Sequence, residues 1–252
     1  MQVRRWLGWS LVCGVVGASC AVFGGGGPVE VRIASADPVA VATDSARSGD
    51  LAVEWRWDGA QAQPVVRNRG RAPARVAEVV LFDVSHGLPP NTTYYGEGLQ
   101  MLAQYGGTLA NPVDYGDYPD RTHYRLPEPA GMRRVYSLLT LQCGARDHLL
   151  LAFTSSRRFV GSFDVGVERL RCSVDTEGVE VAAGAELPLE GFTLQRGPDR
   201  GALLTQLGSA IARTHPRTNY PAPPTGWCSW YCFGPKVTAD NVLANLAAMQ
   251  QW

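Results

Sequence analysis

The sequence predicts a mostly β protein: a large N-terminal β-sandwich, then a linker helix, then the first β/α unit of a truncated (β/α)8 barrel. Three observations predict it. Short runs of period-two alternation recur across residues 29–195, separated by turn signals. Helical periodicity first shows at 199–214, and a proline-rich stretch follows it. Finally, the run GWCSWYCFGPK at 226–236 leads within a few residues into an amphipathic helix pattern.

The composition is globular. Of 252 residues, 45% are hydrophobic and 18% charged. Lys+Arg and Asp+Glu each number 23, so there is no electrostatic case for a nucleic-acid partner. The basic residues are nearly all arginine, with Lys236 the only lysine. The 28 glycines and 17 prolines favour many turns and short strands. Six cysteines at this length do not make a disulfide scaffold. Cys228 and Cys232 are too far apart on an extended strand to bond, and no histidine beside them suggests zinc. Cys143 and Cys172 have two readings: a disulfide if the protein is exported, or two unpaired core thiols. No cofactor is expected.

Residues 1–23 read as an export signal. Arg4 and Arg5 precede an uncharged, mostly apolar stretch at 6–17 that is short for a membrane span; a short N-terminal anchor is the competing reading. Gly17-Ala18-Ser19-Cys20 resembles a bacterial lipobox, which makes Cys20 a lipidation site with the glycines at 24–27 as its tether. Gly17 departs from the usual larger aliphatic residue. Ordinary cleavage at Ala34-Ser35-Ala36 is the alternative, and a twin-arginine signal fits poorly. Either route places the protein in the cell envelope, the periplasm or outside the cell.

The sandwich is expected over 28–198. Strand candidates are 29–33, 51–57, 75–84, 135–142, 148–153, 159–167, 169–174, 179–181 and 187–194, and nine strands at this spacing suit two packed sheets. Asp58-Gly59, Asn68-Arg69-Gly70 and Glu177-Gly178 are among the turn signals between them. Residues 94–127 are not strand-like. A loop so long usually has a job. Asp114, Asp117 and Asp120 suggest a calcium loop, but no known ligand spacing fits, and a solvated, turn-rich loop is the favoured reading. Glu97 is a weak candidate for a catalytic carboxylate, and the tyrosines suit sugar stacking or a domain interface.

Residues 199–225 join the two parts. Leu203, Leu204, Leu207, Ala210 and Ile211 make a helical stripe. Pro216, Pro221, Pro223 and Pro224 then stiffen the linker. In 226–252, residues 226–233 are expected as a buried strand. Thr238 is expected as an N-cap, with Val242, Leu243, Leu246 and Met249 on one helix face. A parallel strand needs neighbours, so this reads as the opening unit of an incomplete barrel.

The run GWCSWYCFGPKVTADNVLANL resembles the first barrel strand and helix of glycoside hydrolase family 36, the melibiase-type α-galactosidases. YYGEGLQMLAQYGGTL, HYRLP, LAFTSSRRF and LEGFTLQRGPDR resemble the N-terminal sandwich of its bacterial members. The resemblance covers residues 75–252. It implies hydrolysis of terminal α-linked galactose in oligosaccharides with retention, by two aspartates about 5–5.5 Å apart. Both would lie on later strands, so no catalytic residue is assigned. By position, Trp230 and Tyr231 would line the sugar subsite, the competing reading being barrel core. Sandwich domains of the family often help form an assembly, so a homo-oligomer is among the implied partners. Two alternatives stay open: a raffinose-synthase-type galactosyltransferase, and a non-catalytic carbohydrate-binding or envelope sandwich.

Overall fold

The computed structural model describes residues 40–43, 50–58, 60–100, 102–216, 223 and 225–251. The export signal, Cys20, the strand expected at 29–33 and most of the proline linker lie outside them. The chain divides into two units, 1–215 and 216–252.

The first unit is an antiparallel β-sandwich of thirteen strands. In order they are β1 Ala40–Thr43, β2 Leu51–Asp58, β3 Gln61–Asn68, β4 Ala74–Ser85, β5 Thr93–Glu97, β6 Gln104–Thr108 and β7 Pro112–Asp114. Then come β8 Met132–Gly144, β9 Asp147–Phe153, β10 Val160–Gly166, β11 Arg169–Val181, β12 Glu186–Pro188 and β13 Phe192–Gly197. One layer runs β1-β4-β11-β10-β8 and the other β8-β9-β13-β3-β12, with β2 beside β3 and β5, β6 and β7 continuing from β8.

β8 belongs to both layers. Residues 132–136 pair with β10, whereas 138–144 pair with β9 and 136–142 with β5. Ser137, at the crossing, has φ 61°, the left-handed region that side chains disfavour. Sandwich corners are commonly turned by a strand that bends from one sheet into the other.

Between the layers lies the core. Phe192 of β13 is fully buried and meets Trp55, Phe82, Phe153 and Phe163, with ring centroids 5.7, 6.1, 5.8 and 6.3 Å away. Phe163 comes from the first layer and Phe153 from the second. The approach is close enough that a Cβ on Gly161 would fall 2.3 Å from the Phe153 ring. On β9, Leu149, Leu151 and Phe153 face this core, while Leu150 and Ala152 pack against Leu203 and Leu207. Those leucines belong to helix α1, Arg200–Thr214, whose N-cap Asp199 accepts from the Ala202 N–H at 2.7 Å. The linker helix therefore seals the outer face of the second layer. Of its expected stripe, Leu203, Leu207 and Ala210 are buried and Ile211 is exposed.

Four strands of the first layer are tied by charge. Asp164 on β10, its carboxylate fully buried, accepts two hydrogen bonds from Arg134 on β8 at 2.7 and 2.8 Å, with Arg171 of β11 at 3.6 Å. Arg171 in turn reaches Glu78 on β4 at 2.6 Å. Such a buried pair contributes register more than net stability.

Several expectations are corrected. β3 was not anticipated: QAQPVVRN carries a proline, yet it sits beside β2, β12 and β13. The segment 94–127 is not wholly loop, because it holds β5, β6 and β7 and a π-helical turn, Asp120–Tyr124. Its glycines serve close packing rather than turning: a Cβ on Gly96 would fall 2.6 Å from Val135. Glu177-Gly178 is a bulge within the single strand β11, with both residues at positive φ and the Glu177 N–H donating to the Asp175 carboxylate at 2.9 Å. Cys143 and Cys172 are free thiols. Burial pushes both thiols up, most strongly the fully buried Cys172.

In the second unit, 226–233 does not form a strand. Residues 225–228 are irregular and a single helical turn, Trp230–Phe233, follows. An extended segment becomes a strand only through a ladder, and no described strand pairs with these residues. Helix α2, Ala239–Met249, starts where the caps predict: Thr238 accepts from the Asn241 N–H and the Asn241 side chain from the Thr238 N–H. Val242, Leu243, Leu246 and Met249 are all exposed. No described helix is long and apolar enough to cross a membrane.

Phe192 is the joint between the layers. Phe192→Ala is expected to cost about 3–5 kcal/mol in a urea unfolding curve, whereas Val160→Ala, at a half-exposed site on β10, shifts the curve by less than about 0.5 kcal/mol.

Candidate functional site

The aromatic pair expected to touch sugar lies in the second unit. Trp230 is 62% exposed and Tyr231 90%. The Ser229 carbonyl accepts from the N–H groups of Cys232 and Phe233 at 3.2 and 2.9 Å, which closes the turn that presents both rings. Trp227 meets Phe233 edge to face at 6.2 Å beneath that turn. Gly234, at φ 54°, ends it, with its N–H on the Trp230 carbonyl. Two adjacent exposed rings, one with a hydroxyl, can stack on an apolar ring face and bond a polar rim. Cys228 and Cys232 are exposed free thiols.

The acidic loop does different work from a calcium site. Asp114 forms a two-point pair with Arg121 and lies 3.3 Å from Arg133. The Arg121 hydrogen bonds outweigh the cost of burial and hold its carboxyl below the usual range. Asp120 is buried and accepts from the Leu99 N–H at 2.7 Å, while its own N–H donates to the Tyr105 hydroxyl. Asp117 is exposed. The three carboxylates therefore have separate partners, and among the described residues no group of three or more His, Cys, Asp or Glu converges for a metal. Glu97 accepts from the Tyr95 hydroxyl at 3.0 Å and remains exposed.

Sequence reasoning missed Glu190. It was read as part of one continuous strand, 187–194, but the ladder breaks there and Glu190 turns inward, 3% exposed. Its carboxylate accepts from the Ser155 hydroxyl and from the N–H groups of Arg157, Arg158 and Phe159 at 3.0, 2.8 and 3.0 Å. Burial alone would raise its pKa. The Ser155 hydroxyl and the three backbone N–H groups together outweigh burial and hold it below the usual carboxylate range. The same loop sends the Arg157 guanidinium to the Thr214 carbonyl at the end of α1, 2.5 Å away. Beside it is a polar cleft of about 330 Å³ lined by Arg56, Asp58, Gln61, Ser155, Arg158 and Glu190 among others. The one signal available was an acid set between Leu189 and Gly191 in an otherwise apolar run.

No protein-family profile matches the sequence, and no curated protein does either. Solved structures do. An α-galactosidase from Thermus thermophilus in complex with stachyose matches at TM-score 0.38 and 19% identity over 79% of this chain and 38% of that one. The α-galactosidase from Lactobacillus brevis matches at TM-score 0.40 and 10% identity over 80% and 28%. The galactosidase domain of an α-galactosidase–sucrose kinase matches at TM-score 0.43 and 12% identity over 77% and 28%. The chain thus spans well under half the length of these structures.

Glu190 gives the sandwich an acid limb. Its lowered folded pKa means the stability it confers is complete above the ordinary carboxylate range and is lost as pH falls through the folded value. Glu190→Gln is expected to lose about 1.5–3 kcal/mol at neutral pH and to flatten the decline on acidification. Urea unfolding measured across pH checks both.

Proposed function

We propose that this chain is the N-terminal sandwich and first β/α unit of a retaining glycoside hydrolase acting on terminal α-linked galactose in oligosaccharides. The observation that carries the reading is the resemblance of GWCSWYCF at 226–233 to the first barrel strand of glycoside hydrolase family 36, together with the exposure of Trp230 and Tyr231. In this reading the Trp230 ring stacks on the C–H face of the galactose and the Tyr231 hydroxyl bonds a sugar hydroxyl. The turn at 230–233 would become strand-like when further barrel strands supply a ladder. The carboxylate pair that forms and hydrolyses the glycosyl intermediate would come from those strands. The same reading has the protein exported, with Cys20 as its lipidated N-terminus or removed with the signal.

The test begins with the reading frame beyond codon 252. The protein it encodes is assayed on p-nitrophenyl α-galactoside and on raffinose, with the anomer released followed by NMR. Hydrolysis with retention is the expected result. Transfer of galactose to a sugar acceptor in preference to water would move the reading to a galactosyltransferase. A stop codon directly after Trp252, with galactoside binding by the chain itself, would replace the enzyme with a carbohydrate-binding sandwich. In an active enzyme, Trp230→Ala is expected to lower kcat/KM by about tenfold or more, and unchanged kinetics would remove Trp230 from the subsite.

A further inference from the structure

We propose that the sandwich itself carries a second binding site, for a small neutral polyhydroxy compound such as a monosaccharide or polyol, in the cavity beside Tyr94 and Arg133. The cavity measures about 580 Å³, within the range of roughly 300–1,000 Å³ typical of small-molecule sites. It lies wholly within the first unit, between β5, the 109–112 turn, the 126–131 segment and the end of β10. The aromatic pair at 230–231 takes no part in it.

Two polar atoms of its lining residues are unsatisfied. The Tyr94 hydroxyl and the Arg133 Nε–H are buried and have no hydrogen-bond partner among the described residues. Arg133 lies near Tyr94 without a hydrogen bond of ordinary geometry between them. Buried donors without acceptors are rare in native proteins, and two in the lining of one cavity point to an occupant that supplies oxygens. The guanidinium is not free to turn away. Its Nη atoms are held by Glu128 at 2.7 Å and Asp114 at 3.3 Å, and it sits 5.4 Å over the Tyr105 ring.

Charge then selects the class of occupant. Arg121 and Arg133 are matched by Asp114 and Glu128, so a phosphate or carboxylate would have to displace an existing partner. Burial pushes the Tyr94 hydroxyl up to about 12, so it stays a neutral phenol that both donates and accepts. Leu109, Leu126, Met132 and Val165 supply apolar wall. A donor, a donor–acceptor, an acceptor carboxylate in Glu128 and apolar walls together match the alternating C–H and O–H surface of a sugar.

The 252-residue chain is titrated calorimetrically with D-galactose, D-glucitol and sodium phosphate, and its melting temperature followed with each. At least one neutral probe is expected to bind saturably and raise Tm, with phosphate doing neither. Tyr94→Phe removes an oxygen that bonds nothing in the unliganded protein, so its own Tm should hold or rise. Its affinity for the neutral probe should fall about five- to tenfold. A double variant, Trp230→Ala with Tyr231→Ala, should bind as the parent does. Backbone amides at 132–133 and 165–167 of the parent should gain hydrogen-exchange protection on binding. No saturable binding by either neutral probe overturns the proposal, as does equal affinity in Tyr94→Phe. Binding lost in the double variant but kept in Tyr94→Phe overturns it too, and would assign the sugar to the aromatic pair.

Discussion

The sandwich depends on a strand that hydrogen-bonds in both of its layers. β8 gives its first residues to β10 and its last to β9 and β5. The two layers are therefore joined by backbone as well as by packing. A slip of one residue on either side of Ser137 would turn every following side chain to the wrong face. The Arg134–Asp164 pair sits just before the crossing and the Leu139–Leu141 core residues just after it. Charge fixes one half of the strand and apolar burial the other. The ring cluster around Phe192 can form only when both halves are in register.

The regions with chemistry are held differently. Glu190 occupies, from inside, the pocket of N–H groups that the β9–β10 loop would otherwise offer to an outside anion. That loop is thereby structural, and through Arg157 it also anchors the end of α1. The acidic stretch at 114–120 is likewise consumed by arginines and backbone N–H groups. What remains uncommitted is the aromatic pair at 230–231 and the two unpaired atoms beside the cavity at Tyr94. One is exposed and the other buried, and neither is tied to a partner.

Much of the fold was legible because alternation and burial agree. β4, β8, β9 and β10 fall within a few residues of their expected spans, and the caps at Asp199 and Thr238 mark the helix starts. The misses have physical reasons. Pro64 hides β3, although its carbonyl still accepts from the Leu189 N–H. Gly96 and Gly106 read as turn residues but let strands approach closely. Glu190 breaks a strand that apolar pattern alone would continue. Residues 226–233 have strand composition without a strand to pair with. The unpaired atoms at Tyr94 and Arg133 have no sequence signature at all, because they arise from distances between elements far apart in the chain.

The pairing of β3 with β12 and β13 also bears on how the chain is made. Arg56 on β2 meets Glu186, 130 residues later, and Ala62 pairs with Phe192. During synthesis the β2–β3 hairpin must wait for nearly the whole domain before its neighbours exist, and a lone hairpin is barely stable in water. Such distant pairing folds slowly. Glu54, Arg56, Arg67 and Pro64 put charge and a missing donor on that waiting hairpin, which are the features that discourage a strand edge from joining the wrong chain. These residues act as gatekeepers of the nascent polypeptide before they become part of a finished sheet.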